Sequence, residues 1–494
     1  MVFNSFGFLI FFPIFLLLYR ILPLKIRWVM MLVLSYFFYM SWQADLLYLI
    51  LFTTLVSYVC ARLIEKFDGR RGIQKAFMIT AVTVSLAVLF FFKYFNFVSE
   101  NVVNLLNAMG LGVPDLALDL ILPVGISFYT FQTLSYVIDV YRGTMPAEKH
   151  FGYYALYVSF FPQLVAGPIE RPDNLIPQLK EKNPFNVNDT VMGLKFMLVG
   201  FFKKIVVADQ ISRYVDAVYN NASTGGDTVN GFTVLVATLL FAVQIYCDFS
   251  GYTDIAIGCA RVMGIRLMQN FNDPYVATTI KDFWRRWHIS LTSWFTDYVY
   301  IPLGGSRCKK WRHLTNIMIV FLLSGIWHGA AWTYIIWGVL HGVYQIIGNL
   351  TAKPRSRLIA KMGFDEKGRA VRYVRMVITF ILVCLAWMVF RANSLSDLGT
   401  LLSALFTGWG GISLGASLDA LGMSAINIIT IILSVIILKA LDLQINTRPN
   451  LDNSAKLINP ARSTVYVCLC WCVAAAWMIL LASNIESAFI YFQF

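Results

Sequence analysis

Residues 314–343 read LTNIMIVFLLSGIWHGAAWTYIIWGVLHGV and contain no lysine, arginine, aspartate or glutamate. An uncharged stretch of this length is typical of membrane segments, since a spanning helix needs about 20 apolar residues. Basic residues flank it on both sides, namely Arg307, Lys309, Lys310 and Arg312 before it and Lys353, Arg355 and Arg357 after it. Because basic loops favour the cytoplasm, a single crossing would leave one cluster on the wrong side. We therefore predict a re-entrant hairpin or broken helix with both ends cytoplasmic.

The middle of this stretch, Ser324-Gly325-Ile326-Trp327-His328-Gly329, holds two glycines that weaken a helix. The roughly 14 residues from Leu314 to His328 would make about 21 Å of helix. That length places His328 deep in a hydrocarbon core of about 30 Å. An ionisable side chain at this depth is a functional-site hypothesis, with packing as the alternative.

The composition of the whole chain is that of a membrane protein. Of its 494 residues 58% are hydrophobic and only 14% are charged, and the mean hydropathy is +0.66. We expect one all-α polytopic membrane domain, residues 1–494, with room for about ten to twelve spans. The first basic residue is Arg20, so we interpret the N-terminus as a first span and not as a cleaved signal peptide.

The net charge of +13 has a membrane explanation. Lysine and arginine lie in short runs between apolar stretches, as in cytoplasmic loops or surfaces that contact anionic lipid. No nucleic-acid partner is expected. The alternation of basic and non-basic loops predicts an external N-terminus, final spans at 374–392, 424–441 and 463–483, and an external tail at 484–494. The eight cysteines are scattered without metal-ligand spacing, so no metal site is expected.

His288 lies in a stretch rich in tryptophan and arginine, KDFWRRWHIS at residues 281–290. This mixture indicates an amphipathic helix at the bilayer surface, with simple interfacial anchoring as the alternative. Of the other histidines, His150 and His313 fall in basic loops and should be solvated, whereas packing is the expectation for His341. Imidazole suits acyl transfer because it can take a proton from a hydroxyl group and return one to a thiol leaving group. The sequence contains no His-Glu-x-x-His zinc motif and no glycine-rich phosphate loop followed by Lys and Ser or Thr.

Six motifs occur in order along the chain: LPVGISFYTF at 122–131, FPQLVAGP at 161–168, YCDFSGYTD at 246–254, FWRRWHISL at 283–291, YVYIPLGG at 298–305 and GIWHGA at 325–330. With these motifs the chain resembles the bacterial branch of the membrane-bound O-acyltransferases. That branch holds alginate O-acetylases, peptidoglycan O-acetyltransferases and the D-alanyl-transfer protein of teichoic acids. The core of the resemblance covers residues 122–343.

The resemblance implies a ring of tilted helices, with re-entrant segments, around a central tunnel that an acyl thioester enters from the cytoplasm. It places the invariant histidine of the family at His328 and its second histidine at His288. Further candidates for substrate binding are Asp248, Ser250, Asp254, Arg285, Arg286 and Trp327. The two aspartates could equally be polar groups in helix packing, and the two arginines could meet phosphates of an acyl donor or of lipid.

The chain ends in FIYFQF at residues 489–494. A short aromatic tail is typical of an interfacial anchor, but this one also resembles a carboxyl-terminal Phe-x-Tyr motif of bacterial acyltransferases of this type. By that resemblance the phenol oxygen of Tyr491 would carry the acyl group as an ester, with His328 as base.

These observations predict an O-acyltransferase of the bacterial inner membrane that passes an acyl group, most simply acetyl, from acetyl-CoA or another acyl thioester to the outside. We expect no bound cofactor. An extracytoplasmic acetyltransferase of the Ser-Gly-Asn-His hydrolase type would then acylate a cell-wall or exported polysaccharide. One alternative is transfer of D-alanine from a carrier protein to teichoic acid. Another is a small-solute transporter, for which Asp139, Asp248 and Asp254 are the main intramembrane charges.

Overall fold

A computed structural model describes residues 1–165, 167–224, 228–410, 413–445 and 460–481 of the chain. Throughout these ranges the regular structure is helical, and no β-strand occurs in them. The all-α class predicted from the sequence is therefore confirmed. By its internal contacts the chain divides into two compact units, one formed by Met1–Leu194 and Ala256–Gln269 and the other by Lys195–Ile255 and Asn270–Phe494.

The first unit contains nine complete α-helices among the residues described. They are α1 Phe6–Ile21, α2 Leu24–Gln43, α3 Leu47–Lys66, α4 Arg71–Lys93, α5 Phe95–Ala108, α6 Ile126–Arg142, α7 Phe151–Ser159, α8 Phe161–Leu164 and α9 Pro172–Lys180. A tenth, α10 Val187–Phe201, begins in this unit. Helix α3 packs against α4, α6 and α7, and α2 packs against α1, α7 and α8.

Some buried hydroxyl groups of this unit form hydrogen bonds within their own helix, as Ser57 and Thr53 do. The Ser57 hydroxyl donates to the carbonyl oxygen of Thr53 at 2.7 Å and lies 2.6 Å from the hydroxyl of Tyr154, which belongs to another helix. Thr53 likewise donates to the carbonyl oxygen of Leu49 at 2.9 Å. Hydroxyl groups that bond to the preceding turn can be buried among apolar neighbours with little penalty, and they can also join helices.

A buried carboxyl group lies between α8 and α9. Glu170 is fully buried; its carboxylate accepts hydrogen bonds from the backbone N–H of Met268 and, at 2.7 Å, from the Asn174 amide. Burial is the main cause that raises the pKa of Glu170 from 4.5 to about 7, and these hydrogen bonds offset it only in part.

The second unit begins in α10, which continues as a π-helical turn over Phe202–Ala208. Its further helices are α11 Asp209–Tyr219, α12 Gly231–Val262 (its last turns belonging to the first unit), α13 Ile280–Trp284, α14 Ile289–Phe295, α15 Lys310–His328, α16 Trp332–Lys361, α17 Arg369–Arg391, α18 Leu395–Thr407, α19 Leu414–Ala420, α20 Ala425–Ile445 and α21 Pro460–Leu481. Helix α16 packs against α15, α17 and α13, and α20 packs against α21. Helices α17, α20 and α21 occupy the regions where the sequence predicts the last three spans.

Five of the described helical segments are long and apolar enough to cross a bilayer, namely Leu24–Trp42, Ala44–Lys66, Arg71–Lys93, Gly231–Val262 and Arg369–Arg391. The pair Leu414–Ala420 and Ala425–Leu441, bent by 76°, makes a sixth if it counts as one span. Only 17% of the most apolar stretch of α4 is buried within the protein, and the side chains of Ile79, Leu86 and Phe90 are exposed. Apolar side chains exposed in this way indicate contact with lipid. The chain is thus a membrane protein, while ten to twelve spans and a ring remain predictions.

Candidate active site

Helices α15 and α16 form an antiparallel hairpin with His328 at its tip. Helix α15 ends at His328, and α16 begins at Trp332 after a short connection in which Gly329 is extended. Both basic flanks of the stretch therefore lie at the open end of the hairpin, as the sequence predicts. The insertion of this hairpin into a bilayer remains a prediction.

The glycines of this stretch permit close helix packing and do not break α15. A Cβ atom on Gly325 would lie 3.2 Å from the Cα of Gly338, and one on Gly338 would lie 3.0 Å from the Cα of Gly325. The backbones of the two helices are therefore in direct contact, as small residues allow in membrane proteins. The helix is continuous through Gly325, where we had expected weakening, because the packing against α16 compensates for the low helix propensity of glycine.

The imidazole of His328 is buried, and its hydrogen bond shows which ring nitrogen carries the proton. Its Nδ1 atom lies 2.6 Å from the carbonyl oxygen of Ser324, one turn earlier in α15. Since a carbonyl oxygen can only accept, Nδ1 carries the proton, and the lone pair of the neutral ring is on Nε2. Rings of Trp337 and Phe390 lie 4.7 and 5.7 Å from the His328 ring and hold it edge-on. The arrangement fixes an imidazole in the tautomer that a general base needs.

The structure brings His288 to the same place. The ring of Trp327 lies 5.0 Å from that of His328 and 5.9 Å from that of His288. His288 is completely buried, and the ring of Phe249 on α12 meets it edge-on at 4.7 Å. Burial, and secondly the nearby His328, lowers the pKa of His288 well below that of free imidazole. This environment favours the neutral form of His288.

The backbone at His288 is strained, and the sequence did not reveal what holds it. His288 precedes α14 with a φ angle of 45°, a conformation that residues other than glycine adopt rarely. The next two residues are bonded to Asn270: Ile289 N–H donates to its backbone oxygen at 2.9 Å, and the Ser290 hydroxyl donates to its side-chain oxygen at 2.6 Å. The Asn270 amide in turn lies 3.4 Å from the Thr253 hydroxyl of α12. Asn270 thus fastens the His288 loop to α12.

The two aspartates predicted for substrate binding face lysines that the sequence analysis missed. Lys204 is completely buried between Asp248 and Asp209, at 2.7 and 2.9 Å. Lys203 pairs with Asp254 at 2.8 Å. The pairs with Asp248 and Asp254 join the π-helical turn at 202–208 to α12, and they favour the packing role that the sequence left open. A π-helical turn accommodates two successive lysines that both face a neighbouring helix, a feature with no clear sequence signal.

The other predicted residues lie in the same unit. The Ser250 hydroxyl is buried and has no hydrogen-bond partner among the described residues. Arg286 bonds Asp282 at 3.0 Å and the backbone oxygen of Asn272 at 3.2 Å, whereas Arg285 is exposed. Contact of any of these residues with a substrate remains a prediction. Tyr491 lies outside the described residues.

An aromatic layer supports the hairpin behind His328. His341 is completely buried, and its Nδ1 accepts a hydrogen bond from the Trp284 indole at 3.2 Å. The ring of Trp337 lies 5.0 Å from His341 and 5.7 Å from Trp284. The packing role expected for His341 agrees with this environment. Trp284 is also buried, so this part of the KDFWRRWHIS segment packs inside the protein, where an interfacial helix was expected. Within the described ranges, no three histidine, cysteine or acidic residues lie together as metal ligands would.

The sequence of the chain is similar to those of several known proteins. The chain is 37% identical to a probable alginate O-acetylase of Pseudomonas aeruginosa over 410 residues, which are 82% of this chain and 75% of that protein. It is 35% identical to a peptidoglycan O-acetyltransferase of Helicobacter pylori over 406 residues, 77% of this chain and 73% of that protein. A teichoic acid D-alanyltransferase of Bacillus subtilis is 29% identical over 283 residues, 55% of this chain and 69% of that protein.

Residues 37–395 match the family model described as MBOAT, membrane-bound O-acyltransferase family. This match extends over more than half of the chain and includes all six motifs, the hairpin and both histidines. The chain therefore belongs to the membrane-bound O-acyltransferase family, and it is an acyltransferase.

Proposed function

We propose that this protein takes an acetyl group from a cytoplasmic thioester, most simply acetyl-CoA, and passes it across the bacterial inner membrane for O-acetylation of a cell-wall or exported polysaccharide. The relatives named as alginate and peptidoglycan O-acetylating enzymes support acetyl as the group and a polymer as the acceptor. The observation that carries the proposal is the buried His328, whose proton on Nδ1 is fixed by the Ser324 carbonyl at the tip of the hairpin.

In this chemistry His328 acts first as a base and then as an acid. Nε2 of His328 takes the proton of an attacking hydroxyl group, and the oxygen forms a bond to the thioester carbonyl carbon. The carbon–sulfur bond then breaks, and the thiolate takes the proton back from Nε2. The products are an oxygen ester and a free thiol, and the imidazole returns to its starting state. His288 stays neutral because of its burial, so it adds no second positive charge to the site when His328 is protonated.

The hydroxyl group that we propose as the first acceptor is the phenol of Tyr491. Under this proposal both termini are external, the helices enclose a tunnel that leads to His328, and the tail reaches the site from outside. The resemblance of the FIYFQF tail to the Phe-x-Tyr motif supports the assignment. Direct transfer from the thioester to a partner is the variant in which Tyr491 has no covalent role.

A separate extracytoplasmic enzyme would then move the acetyl group from the ester to the polymer. The longest predicted external stretches, residues 99–118 and 392–423, were expected to be loops, but they contain most of α5 and the short helices α18 and α19. Neither stretch is long enough to form a sizeable external domain that could hold a polysaccharide. We infer a partner of the Ser-Gly-Asn-His hydrolase type, because its serine nucleophile can take an acyl group from one oxygen ester and give it to another hydroxyl.

The test is incubation of the purified full-length protein with acetyl-CoA labelled in the acetyl group, followed by mass spectrometry of its peptides. We expect label to be retained, with release of free coenzyme A in equal amount. Absence of both label and thiol release, in protein that is monodisperse and folded, would overturn the transfer of acetyl to Tyr491.

The second candidate function is transfer of D-alanine, which the teichoic acid D-alanyltransferase of Bacillus subtilis supports. The chemistry at His328 would be unchanged, because only the acyl group and its thioester carrier differ. A parallel incubation with a D-alanyl thioester of a carrier protein separates the two. Label from D-alanine without label from acetyl-CoA would replace the first proposal by the second.

A further inference from the structure

We propose that the N-terminal end of α2 binds a phosphate group, held by Arg20, Arg27 and the first backbone N–H groups of the helix. The site lies in the first unit and shares no residue with the candidate active site. It rests on an uncapped helix end, on a buried arginine that has no acidic partner in the described part of the chain, and on a second arginine at the same tyrosine ring.

The first turn of α2 has donors that nothing in the described chain uses. The N-cap residue is Pro23, which has no polar side chain and makes no capping hydrogen bond. The N–H groups of Ile26 and Arg27 both donate to the Pro23 carbonyl at 3.0 Å. The N–H groups of Leu24 and Lys25 have no hydrogen-bond partner among the described residues. Such a helix end has a partial positive charge and favours anions.

Arg27 adds a full positive charge at this end of the helix. It is 8% exposed, and its Nη2 donates to the Leu22 carbonyl at 3.1 Å, so the guanidinium group is turned back towards the helix start. Its Nε and Nη1 atoms are buried, without a hydrogen-bond partner in the ranges that the structure describes. A guanidinium group remains charged when buried, and its burial without an anion is unfavourable.

A second cation converges on the same place. The guanidinium groups of Arg27 and Arg20 lie 4.6 and 5.5 Å from the ring centroid of Tyr19, and the Tyr19 hydroxyl donates to the Met263 carbonyl at 3.1 Å. Arg20 donates to the Val262 carbonyl at 2.6 Å. Neither arginine has a carboxylate within 4.0 Å among the described residues. Two like charges near a positive helix end create a potential that a bound anion would neutralise.

Phosphate is the anion that fits these donors. The remaining N–H groups of a guanidinium fork match two oxygens of one phosphate, and helix N-termini bind phosphate through backbone N–H groups. The positive-inside rule puts this end of α2 in the cytoplasm. There the phosphate can belong to an anionic lipid headgroup or to the coenzyme A part of a thioester donor. Only the second source rests on the proposed function.

The experiment uses the full-length protein in dodecyl maltoside, a detergent without phosphate. One arm titrates coenzyme A and measures equilibrium binding, and the other adds phosphatidylglycerol and counts retained lipids by native mass spectrometry. The variant is Arg27→Gln. The matched control is Arg71→Gln, because Arg71 also lies in the first turn of a long helix, α4, over a tyrosine ring at 4.9 Å, but is exposed.

We expect Arg27→Gln to weaken binding about tenfold or more in one arm, since a charge-assisted fork is lost, while Arg71→Gln binds like the natural protein. The arm that responds identifies the source of the phosphate. Equal behaviour of both variants in both arms would overturn the site, and so would failure of the natural protein to bind either probe. If the natural protein binds lipid in an Arg27-dependent way but does not transfer acetyl, the proposed function is refuted and the phosphate site stands.

Folding is controlled separately. Because the substitution Arg27→Gln removes a buried positive charge, the unfolding midpoint without phosphate should not fall in that variant. If the variant does not fold, Arg20→Gln and Arg27→Lys replace it. The lysine variant keeps the charge without the fork, so its affinity should lie between those of the natural protein and Arg20→Gln. Affinities unchanged in both variants would also overturn the site.

Discussion

Substitution of Gly338 by alanine tests whether the packing of the hairpin positions His328. Gly338 on α16 faces Gly325 on α15, three residues before His328. A Cβ atom at position 338 would overlap the backbone oxygen of Phe321 and would lie 3.0 Å from the Gly325 Cα. These are backbone atoms, which cannot turn aside as a flexible side chain would. The two helices must therefore separate.

The size of the effect follows from that separation. Non-bonded carbon atoms pack at about 3.5–4.0 Å, so α15 has to move by about 0.5–1 Å. Overpacking of this kind typically costs about 1–3 kcal/mol of stability. A misplacement of about 1 Å at a catalytic group can lower a rate by roughly a hundredfold. We expect Gly338→Ala to lose between about tenfold and a hundredfold in turnover.

The assay is transfer of labelled acetyl from acetyl-CoA, with thermal unfolding of the same detergent-solubilised samples. Gly348→Ala is the matched control, because Gly348 lies on the same helix and a Cβ atom there would meet nothing within 4 Å. Alanine in place of an unhindered helical glycine should raise stability by up to about 1 kcal/mol. Its turnover should stay at the natural level.

Turnover of Gly338→Ala within about twofold of that of Gly348→Ala would refute the reasoning, since a shift of about 1 Å is expected to act on the rate. It would mean that the hairpin does not control the position of the His328 imidazole.

Three further predictions concern the tail, the His288 loop and the buried carboxyl group. Tyr491→Phe should abolish any acetyl adduct on the C-terminal peptide, because no phenol oxygen remains there, and an adduct that persists would refute the carrier role. Asn270→Ala should lower turnover and remove about 1–3 kcal/mol of stability, because the buried donors of Ser290 lose the Asn270 side-chain oxygen as their acceptor. Ser290→Ala should have a smaller effect on both quantities, which kinetics and thermal unfolding measure. If Asn270→Ala is as active as the natural protein, Asn270 does not position His288. Glu170 has a pKa raised from 4.5 to about 7 in the folded protein, so the stability that its protonated form provides is complete below about pH 4.5 and is lost as pH rises towards about 7. Unfolding midpoints measured across this range should fall with pH in the natural protein and fall less in Glu170→Gln, and equal slopes would contradict the burial of the carboxyl group.

Much of the site could be predicted because single residues and charge patterns determine it. The paired basic flanks of residues 314–343 indicated a hairpin, and the structure has one with His328 at its tip. The motif that contains His288 resembled a family motif, and the structure brings both histidines to Trp327. Signals of this kind are local in sequence, so they do not depend on knowing which distant segments meet.

What the sequence did not reveal depends on such meetings. Asn270 matters because it bonds the backbone after His288, and nothing in its own neighbourhood marks it. Lys203 and Lys204 lie in a π-helical turn and pair with Asp254 and Asp248 of α12, which are distant in sequence. The number of spans is also hard to predict from hydropathy. Helices with buried polar residues, such as α15 with Asn316, are not apolar enough to be identified as spans by hydropathy alone.

Whether His328 is the catalytic base is tested by comparing His328→Ala with His313→Ala in acetyl transfer from labelled acetyl-CoA. Both variants lose one imidazole, but His313 is only half-buried near the start of α15 and His328 is buried at its end. If His328 is the base, His328→Ala should lose all measurable transfer, a factor of about 10²–10⁴ or more, while the protein is still expressed and folded. His313→Ala should transfer acetyl at the natural rate. Transfer retained in folded His328→Ala would contradict the account.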